Sequence, residues 1–212
     1  MYTAFTLGGN LVRLEMLTEQ HLDGLVAASA NGKDLYRWIA VPQTLEQAEQ
    51  YVRTATSCMS RGVAVPFAIS SVRDGKVIGS TRFCQLEHWS WPDSHLRHGR
   101  KNPDVCEIGN TWFSPSAIRT GANLETKLLM LGYAFEHWQV LWVCFYPDTR
   151  NERATRSLTQ LGATRDGILR EYRLGADGRP YNSVRFSILA GDWPAIKDRL
   201  KYRLAHHLDA DN

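Results

Sequence analysis

The chain has 212 residues, and a length of this order forms one domain with a sizeable core, so we expect a single domain over residues 1–212. Hydrophobic residues make up 43% and charged residues 22%, as in ordinary soluble globular proteins. The net charge of +3 is too small to indicate nucleic acid as a partner. No apolar run approaches the ~18–20 residues that cross a bilayer, and the N-terminus lacks the pattern of a signal peptide.

The cysteines indicate a reducing compartment. The chain has four, scattered and without a Cys-x-x-Cys motif, and three of them lie in apolar runs: Cys58, Cys84, Cys106 and Cys144. We therefore expect reduced thiols in a cytoplasmic protein. Five cysteines and histidines do not match the spacing of structural zinc sites, so no metal is expected; these are Cys84, His88, His95, His98 and Cys106.

Apolar periodicity and turn residues predict both helices and strands. Thr44 with Gln47 is a capping box, and Asp74-Gly75 between two apolar runs indicates a hairpin. The predicted elements are a strand at 10–16, helices at 18–30 and 45–60, strands at 67–72, 77–85 and 106–113, a helix at 121–138, a strand at 140–146, a helix at 151–161, strands at 168–174 and 181–189, and a C-terminal helix at about 194–206. Residues 88–104 are predicted to form a long surface loop.

This element order predicts the fold class. Early antiparallel hairpins are followed by a strand–helix–strand crossover, which requires parallel neighbours. We therefore expect an α/β (α+β) three-layer sandwich, in which a mixed, mostly antiparallel sheet carries helices on both faces. The core of the domain is expected at about residues 9–190.

The most informative segment is Ser116-Ala-Ile-Arg-Thr-Gly-Ala-Asn-Leu-Glu-Thr-Lys127, which connects an apolar strand to a long helix. The first amides of a helix lack intrahelical partners and lie at the positive end of its dipole. Arg119, Thr120 and Gly121 add a cation, a hydroxyl and a point of close backbone approach. The segment therefore predicts a site for a pyrophosphate.

The element order and three segments resemble the GNAT acyltransferase superfamily, and within it the RimJ/RimL-type branch. The segments are Glu107-Ile-Gly-Asn-Thr-Trp-Phe-Ser-Pro115, the turn Arg119-Thr-Gly-Ala-Asn123, and Asn151-Glu-Arg-Ala-Thr-Arg-Ser-Leu-Thr-Gln-Leu-Gly-Ala163. The resemblance covers about residues 9–190. It implies direct transfer of an acetyl group from acetyl-CoA to a primary amine of a small molecule or of a peptide or protein N-terminus, by a monomer or homodimer.

The resemblance also implies where the co-substrate binds. A V-shaped split between strands 107–113 and 140–146 would hold the pantetheine arm. Asn151 would bind that arm, cap its helix, or do both, and Arg153 with Arg156 would meet the 3′-phosphate or remain solvated. The pyrophosphate set is Arg119, Thr120, Gly121, Ala122 and Asn123, with a conventional turn at the start of a helix as the alternative.

Two departures from the family pattern concern the cofactor turn and the general acid. At the fixed positions of Gln/Arg-x-x-Gly-x-Gly/Ala, the chain has Ile118, Gly121 and Asn123, so only the glycine fits. Leu158 stands where many relatives carry a tyrosine acid, and Ala154 where the Rim-type branch carries serine. A thiol of pKa about 8.5 leaves with little acid assistance, so transfer remains feasible.

Two residues are candidates for proton transfer. Glu107, beside the expected split, is the candidate acceptor of the amine proton, with a structural ion pair as the alternative. Tyr172 is the candidate acid or a lining residue of the acceptor pocket, with packing at the edge of the core as the alternative.

The loop at residues 88–104 is the candidate acceptor entrance. Trp89, Trp91 and Arg97 would bind a carboxylated or aromatic acceptor; alternatively, the loop packs on its own tryptophans. The absence of the usual acid leaves one rival open at this point, a non-catalytic acyl-CoA sensor or interaction module.

Overall fold

The computed structural model of the protein describes residues 4–175 and 177–210. Within these residues, eight strands form one sheet in the order β1-β2-β3-β4-β5-β6-β8-β7. The strands are β1 Thr6–Gly8, β2 Val12–Met16, β3 Ala64–Ser71, β4 Val77–Glu87, β5 Val105–Phe113, β6 Trp142–Phe145, β7 Thr164–Leu174 and β8 Pro180–Leu189. The α-helices are α1 Leu22–Ser29, α2 Leu45–Ser60, α3 Ala122–Gly132, α4 Glu152–Leu161 and α5 Trp193–Ala210.

The sheet is mixed and mostly antiparallel, as predicted. Its one parallel pair among the described strands is β5 with β6, the strands that the α3 crossover connects. Their pairing extends only from Val105 with Trp142 to Glu107 with Cys144. The remainder of β5 continues without β6 as a neighbour, so the two strands diverge after Glu107 and leave a split in the sheet.

Helices cover both faces of the sheet, which confirms the predicted layers. On one face, α3 and α5 pack their apolar side chains, including Met130 and Leu200, on Phe83 and Phe186 of the strands. On the other face, α1 and α2 enclose a smaller cluster around Trp112 of β5. Successive side chains of β4 and β5 alternate between the two faces of the sheet, so both strands contribute to two separate hydrophobic cores.

A buried carboxylate fixes α3 to the first hairpin. Glu125 is 3% exposed and accepts hydrogen bonds from the backbone amides of Asn10, Leu11 and Val12, at 2.8, 2.7 and 2.8 Å. Gly9 lies so close that a Cβ atom there would stand 2.3 Å from the carboxyl carbon of Glu125. These contacts hold the first turn of α3 in place against the first two strands.

The structure differs from the sequence prediction mainly in element boundaries. β1, three residues long, was not predicted because so short a segment shows no usable alternation. The long helix predicted at 121–138 is α3 followed by a π-helical turn at Tyr133–His137. β7 begins four residues before the predicted start, because pairing with β8 extends through its exposed and largely polar first residues.

Candidate active site

The turn before α3 brings together the predicted pyrophosphate set. Arg119 and Gly121 both have left-handed backbone, with φ of 66° and 76°, and the Thr120 hydroxyl between them donates to the Ala117 carbonyl at 2.9 Å. No described side chain caps the N-terminus of α3. The first amides of the helix, at Ala122 and Asn123, are therefore free to bind an anion.

A cavity of about 660 Å³ lies at this helix end. The described residues that line it include basic side chains and no Asp or Glu: Arg119, Thr120, Gly121, Asn123, Leu124 and Lys127 from the α3 segment, Ser157, Leu158, Gln160 and Leu161 from α4, and Tyr202, Arg203 and His206 from α5. The C-terminal helix α5 thus lines one side of the cavity, which was not predicted from the sequence. The charge of the lining fits an anionic ligand.

The start of α4 lies beside this cavity. Asn151 is the N-cap of the helix, because its side-chain oxygen accepts from the Ala154 amide at 3.1 Å. This confirms the capping role, and the pantetheine role stays a prediction. Leu158 is buried and lines the cavity, so an apolar side chain occupies the helix position for which the family resemblance implies a tyrosine acid.

Arg153 and Arg156 line a second, adjoining cavity of about 380 Å³. Both are exposed, and Ser157 and Gln160 border both cavities. The two arginines therefore lie next to the α3 cavity and outside it, where a phosphate at the edge of a larger ligand would reach them.

Lys127 is a site residue that the sequence analysis missed. Its side chain is buried, donates to the Thr111 hydroxyl at 3.2 Å, and places its ammonium 5.4 Å from the ring centroid of Phe145. Thr111 lies on the diverging half of β5, and Phe145 is the last residue of β6, so the ammonium bridges the split. Burial lowers its pKa to about 8, although the nearby Cys84 and Glu107 oppose that shift.

The diverging half of β5 contains a bulge. Ser80 of β4 pairs with Trp112, but Arg82 pairs with Gly109, so β5 carries one extra residue there, and Asn110 has a φ of 51°. Because β6 does not pair with this half, backbone groups along it face the split without a neighbouring strand. The N–H groups among them are available to donate hydrogen bonds to the carbonyl groups of a ligand.

The opposite face of the same strands carries a second cluster. Register places Arg82 beside Gly109 and Cys84 beside Glu107, all on the face toward α2. The Glu107 carboxylate is 1% exposed and accepts two hydrogen bonds from Arg173, at 2.8 and 2.5 Å. Burial acts to lower the pKa of Arg173, but the bonds and charge of Glu107 outweigh it, and the net shift is upward.

The β7–β8 hairpin curls over this face. β7 is three places from β5 in the sheet, yet Arg173 reaches Glu107, and the Tyr172 hydroxyl accepts from Gln85 of β4 at 3.0 Å. The curl coincides with a register irregularity between Leu169 and Arg173. Tyr172 therefore lines the α2-side face, and its role as an acid stays a prediction.

Aromatic rings surround the Arg173 guanidinium. It lies 5.1 Å from the ring centroid of Tyr146 and 5.3 Å from that of Tyr172, and these two rings are 5.0 Å apart. Burial raises the pKa of Tyr146, with the nearby Cys144 adding to the shift. Tyr146 thus keeps its proton at neutral pH.

The cysteines near the split are not activated nucleophiles. Burial raises the pKa of Cys84, Cys106 and Cys144, and the charge of Glu107 raises the first two further. These thiols therefore stay protonated at neutral pH, which favours direct transfer over a cysteine-bound intermediate.

The loop at 88–104 is organised by Asp104. Its carboxylate accepts from the Trp89 amide and the Trp91 indole, both at 2.8 Å, and pairs with Arg97 at 3.3 Å. Trp89 also packs on Trp142, with ring centroids 5.1 Å apart. The structure places these residues at the start of β5, the end opposite the cofactor turn, and acceptor binding by them stays a prediction.

The described residues contain neither a metal-binding cluster nor a membrane-spanning helix. No group of three or more His, Cys, Asp or Glu side chains there is arranged to hold a metal ion. Among the described helices, none is both long and apolar enough to cross a membrane.

Comparison with known proteins identifies the family. The model of the GNAT acetyltransferase domain matches residues 12–164. A GCN5-related N-acetyltransferase from Brucella melitensis is 25% identical, with a TM-score of 0.79, and the match covers 94% of this chain and 85% of that protein. A T. thermophilus protein assigned as an acetyltransferase is 28% identical, with a TM-score of 0.75 and coverage of 96% and 99%.

Mycobacterium smegmatis RimJ, whose structure was solved with CoA-disulfide, is 17% identical with a TM-score of 0.71, and the match covers 98% of this chain and 93% of RimJ. The predicted RimJ/RimL-type resemblance is thus confirmed at the level of the fold. No curated protein sequence matches the chain significantly. The chain belongs to the GNAT acetyltransferase family and is an acyl-CoA-dependent N-acetyltransferase.

Proposed function

We propose that the protein transfers the acetyl group of acetyl-CoA directly to a primary amine of a small molecule or of a peptide or protein N-terminus. The observation that carries the proposal is the uncapped N-terminus of α3, which opens into a basic cavity beside the split between β5 and β6. A helix end of this kind binds phosphate, and the adjoining split suits an extended polar chain.

The residues present fit coenzyme A. The amides of Ala122 and Asn123, with Arg119, would hold the pyrophosphate, while Arg153 and Arg156 on the adjoining surface would meet the 3′-phosphate. When bound, acetyl-CoA supplies an activated thioester. Solved structures of the family include RimJ with CoA-disulfide, which supports CoA as the ligand here.

Lys127 would donate a hydrogen bond within the split. An ammonium has three donors, and the structure shows one hydrogen bond, to the Thr111 hydroxyl. A carbonyl of the pantetheine or thioester is a suitable partner for a remaining donor. Together with the backbone of the β5 bulge at Asn110, Lys127 would orient and polarise such a carbonyl.

The acceptor amine would approach from the α2-side face, where Glu107, Tyr146 and Tyr172 lie. This places the amine and the thioester on opposite sides of the split, so that the strands position both groups. Glu107 would accept the amine proton directly or through a water. Because a thiolate leaves readily near neutral pH, Leu158 in place of a tyrosine acid does not prevent transfer.

The test is to measure acetyl-CoA binding by calorimetry and thiol release with a panel of primary amines and short peptides. We expect micromolar binding, thiol release that depends on the amine, and a product heavier by one acetyl group in mass spectrometry. Binding without thiol release on any amine would contradict transfer, and the absence of CoA binding would contradict the whole assignment.

A further inference from the structure

Arg82 lies on the acceptor side of the split without a counter-charge among the described side chains. Its Nε atom is buried and has no hydrogen-bond partner, and no carboxylate in the described part of the chain lies within ion-pair distance. Its guanidinium carbon packs 5.4 Å from the ring centroid of Tyr51 of α2. A buried donor left unpaired is costly, so the arginine requires an explanation.

The position of Arg82 relates it to the chemistry. Arg82 pairs in register with Gly109, the residue before the bulge. Glu107 lies two residues before Gly109 on β5, so Glu107 and Arg82 lie on the same face of the sheet. Adjacent strands are about 4.8 Å apart. The guanidinium therefore stands within one side-chain length of the place at which β5 and β6 diverge.

The charges nearby leave this face positive. Glu107 does not neutralise Arg82, because both of its carboxylate oxygens are engaged by Arg173. The pair Glu107–Arg173 is neutral in sum, which leaves the charge of Arg82 uncompensated. Arg82 thus offers hydrogen-bond donors and a cation to a ligand on the α2-side face.

We infer that the acceptor of this enzyme carries an anionic oxygen group, a carboxylate or a phosphate, which Arg82 binds while the amine reaches the split. The inference rests on the proposed function and narrows its acceptor class. An acceptor amine with a carboxylate or phosphate a few bonds away matches the separation between Arg82 and the split. Neutral amines of the same size would leave the guanidinium unpaired and bind less well.

The test compares acceptors that differ only in charge: β-alanine with β-alaninamide, and O-phosphoethanolamine with ethanolamine. We expect kcat/KM for at least one anionic member to exceed that of its neutral partner by about 10-fold or more, the size of a charge-assisted bond. The two pairs separate a carboxylate from a phosphate. Equal kcat/KM within both pairs would overturn the inference.

The variant Arg82→Gln should remove this preference by lowering kcat/KM for the anionic acceptor much more than for the neutral one. Arg73→Gln, at an exposed arginine in the β3–β4 turn, is the matched control and should retain the preference. An equal loss on both members of a pair would show a structural role and overturn the inference.

Saturation-transfer NMR measures the binding of the same four probes to the CoA-loaded protein. This comparison does not depend on turnover. Anionic probes should bind wild type and lose affinity in Arg82→Gln. A protein that binds acetyl-CoA but shows no preference for the anionic probes contradicts this inference alone. A protein that does not bind acetyl-CoA contradicts the proposed function.

Discussion

Arg173 binds both carboxylate oxygens of Glu107, at 2.8 and 2.5 Å, although two strands separate β7 from β5 in the sheet. The ion pair therefore closes the β7–β8 hairpin over the α2-side face and orients Glu107 there. This is the structural ion pair that the sequence analysis gave as the alternative for Glu107, and its role as acceptor of the amine proton stays a prediction.

Glu107→Gln is expected to lower kcat at least 10-fold with little effect on acetyl-CoA affinity, because loss of a general base costs about 10²–10⁴-fold. Arg173→Met leaves a buried carboxylate unpaired and should reduce the free energy of unfolding by about 3–5 kcal/mol. The double variant Glu107→Met/Arg173→Met should recover stability and remain inactive. Full activity in the double variant would exclude Glu107 from the chemistry.

Lys127→Met should stabilise the protein at neutral pH. The folded-state pKa of Lys127 is about 8, against 10.5 for the free side chain. Below pH 8 both states are protonated, and the folded state bears the full cost of a buried charge; from pH 8 to 10.5 only the unfolded state keeps its proton, so wild-type stability rises with pH.

At roughly 1.4 kcal/mol per pKa unit, the difference between 10.5 and about 8 corresponds to about 3.5 kcal/mol, and Lys127→Met should increase the free energy of unfolding at pH 7 by up to this amount. Urea unfolding at pH 7 and pH 10 measures this, and the difference between variant and wild type should shrink at the higher pH. A variant that is less stable than wild type at both pH values would show that the ammonium stabilises the fold.

The same variant should bind acetyl-CoA about 5–10-fold more weakly, the size of one lost hydrogen bond. Adenosine 3′-phosphate 5′-diphosphate, which lacks the pantetheine arm, should bind equally well to variant and wild type. An equal loss of affinity for both ligands would indicate that Lys127 contacts the phosphates. Unchanged affinity for both ligands would show that Lys127 does not contribute to the site.

Arg156→Gln should weaken the binding of CoA by about 2–5-fold, as expected for an exposed charge contact. Dephospho-CoA lacks the 3′-phosphate, so its affinity should be the same for variant and wild type. Calorimetry with both ligands makes the comparison, and Arg153→Gln is tested in parallel. Unchanged CoA affinity in both variants would mean that the arginines are simply solvated.

Glu125→Gln should destabilise the fold, because the carboxylate accepts three backbone hydrogen bonds from residues 10–12. Bonds to a charged group are worth about 1.5–3 kcal/mol, and we expect a loss in this range by urea unfolding. Glu136→Gln is the control, because Glu136 is half exposed and should change stability by less than about 1 kcal/mol. Similar losses in both variants would contradict the special role of Glu125.

The sequence predicted much of the fold because its signals were local. Thr44 with Gln47 marked the start of α2, and Gly162 marked the end of α4; both hold in the structure. The turn at Arg119 and Gly121 was predicted for the same reason, since a glycine-containing turn followed by an apolar-periodic helix is a continuous pattern in the sequence.

The contacts that shape the site are not local, and the sequence could not give them. Lys127 was overlooked because a lysine in a helix is usually exposed, and its burial depends on β5 and β6 diverging above it. Arg173 meets Glu107 only because the β7–β8 hairpin curls, and Arg203 reaches the cavity from a helix about 80 residues after the cofactor turn. For Lys127, the one available sequence signal was its position within an apolar run.

The free amides at the start of α3 are the site at which we expect the diphosphate of coenzyme A to bind. A crystal structure of the protein with coenzyme A tests this expectation most directly. The diphosphate should lie against the backbone N–H groups of Ala122 and Asn123, with the pantetheine passing Lys127 into the split between β5 and β6. A diphosphate bound elsewhere, or a split closed by the protein's own side chains while CoA is bound, would contradict the proposed site.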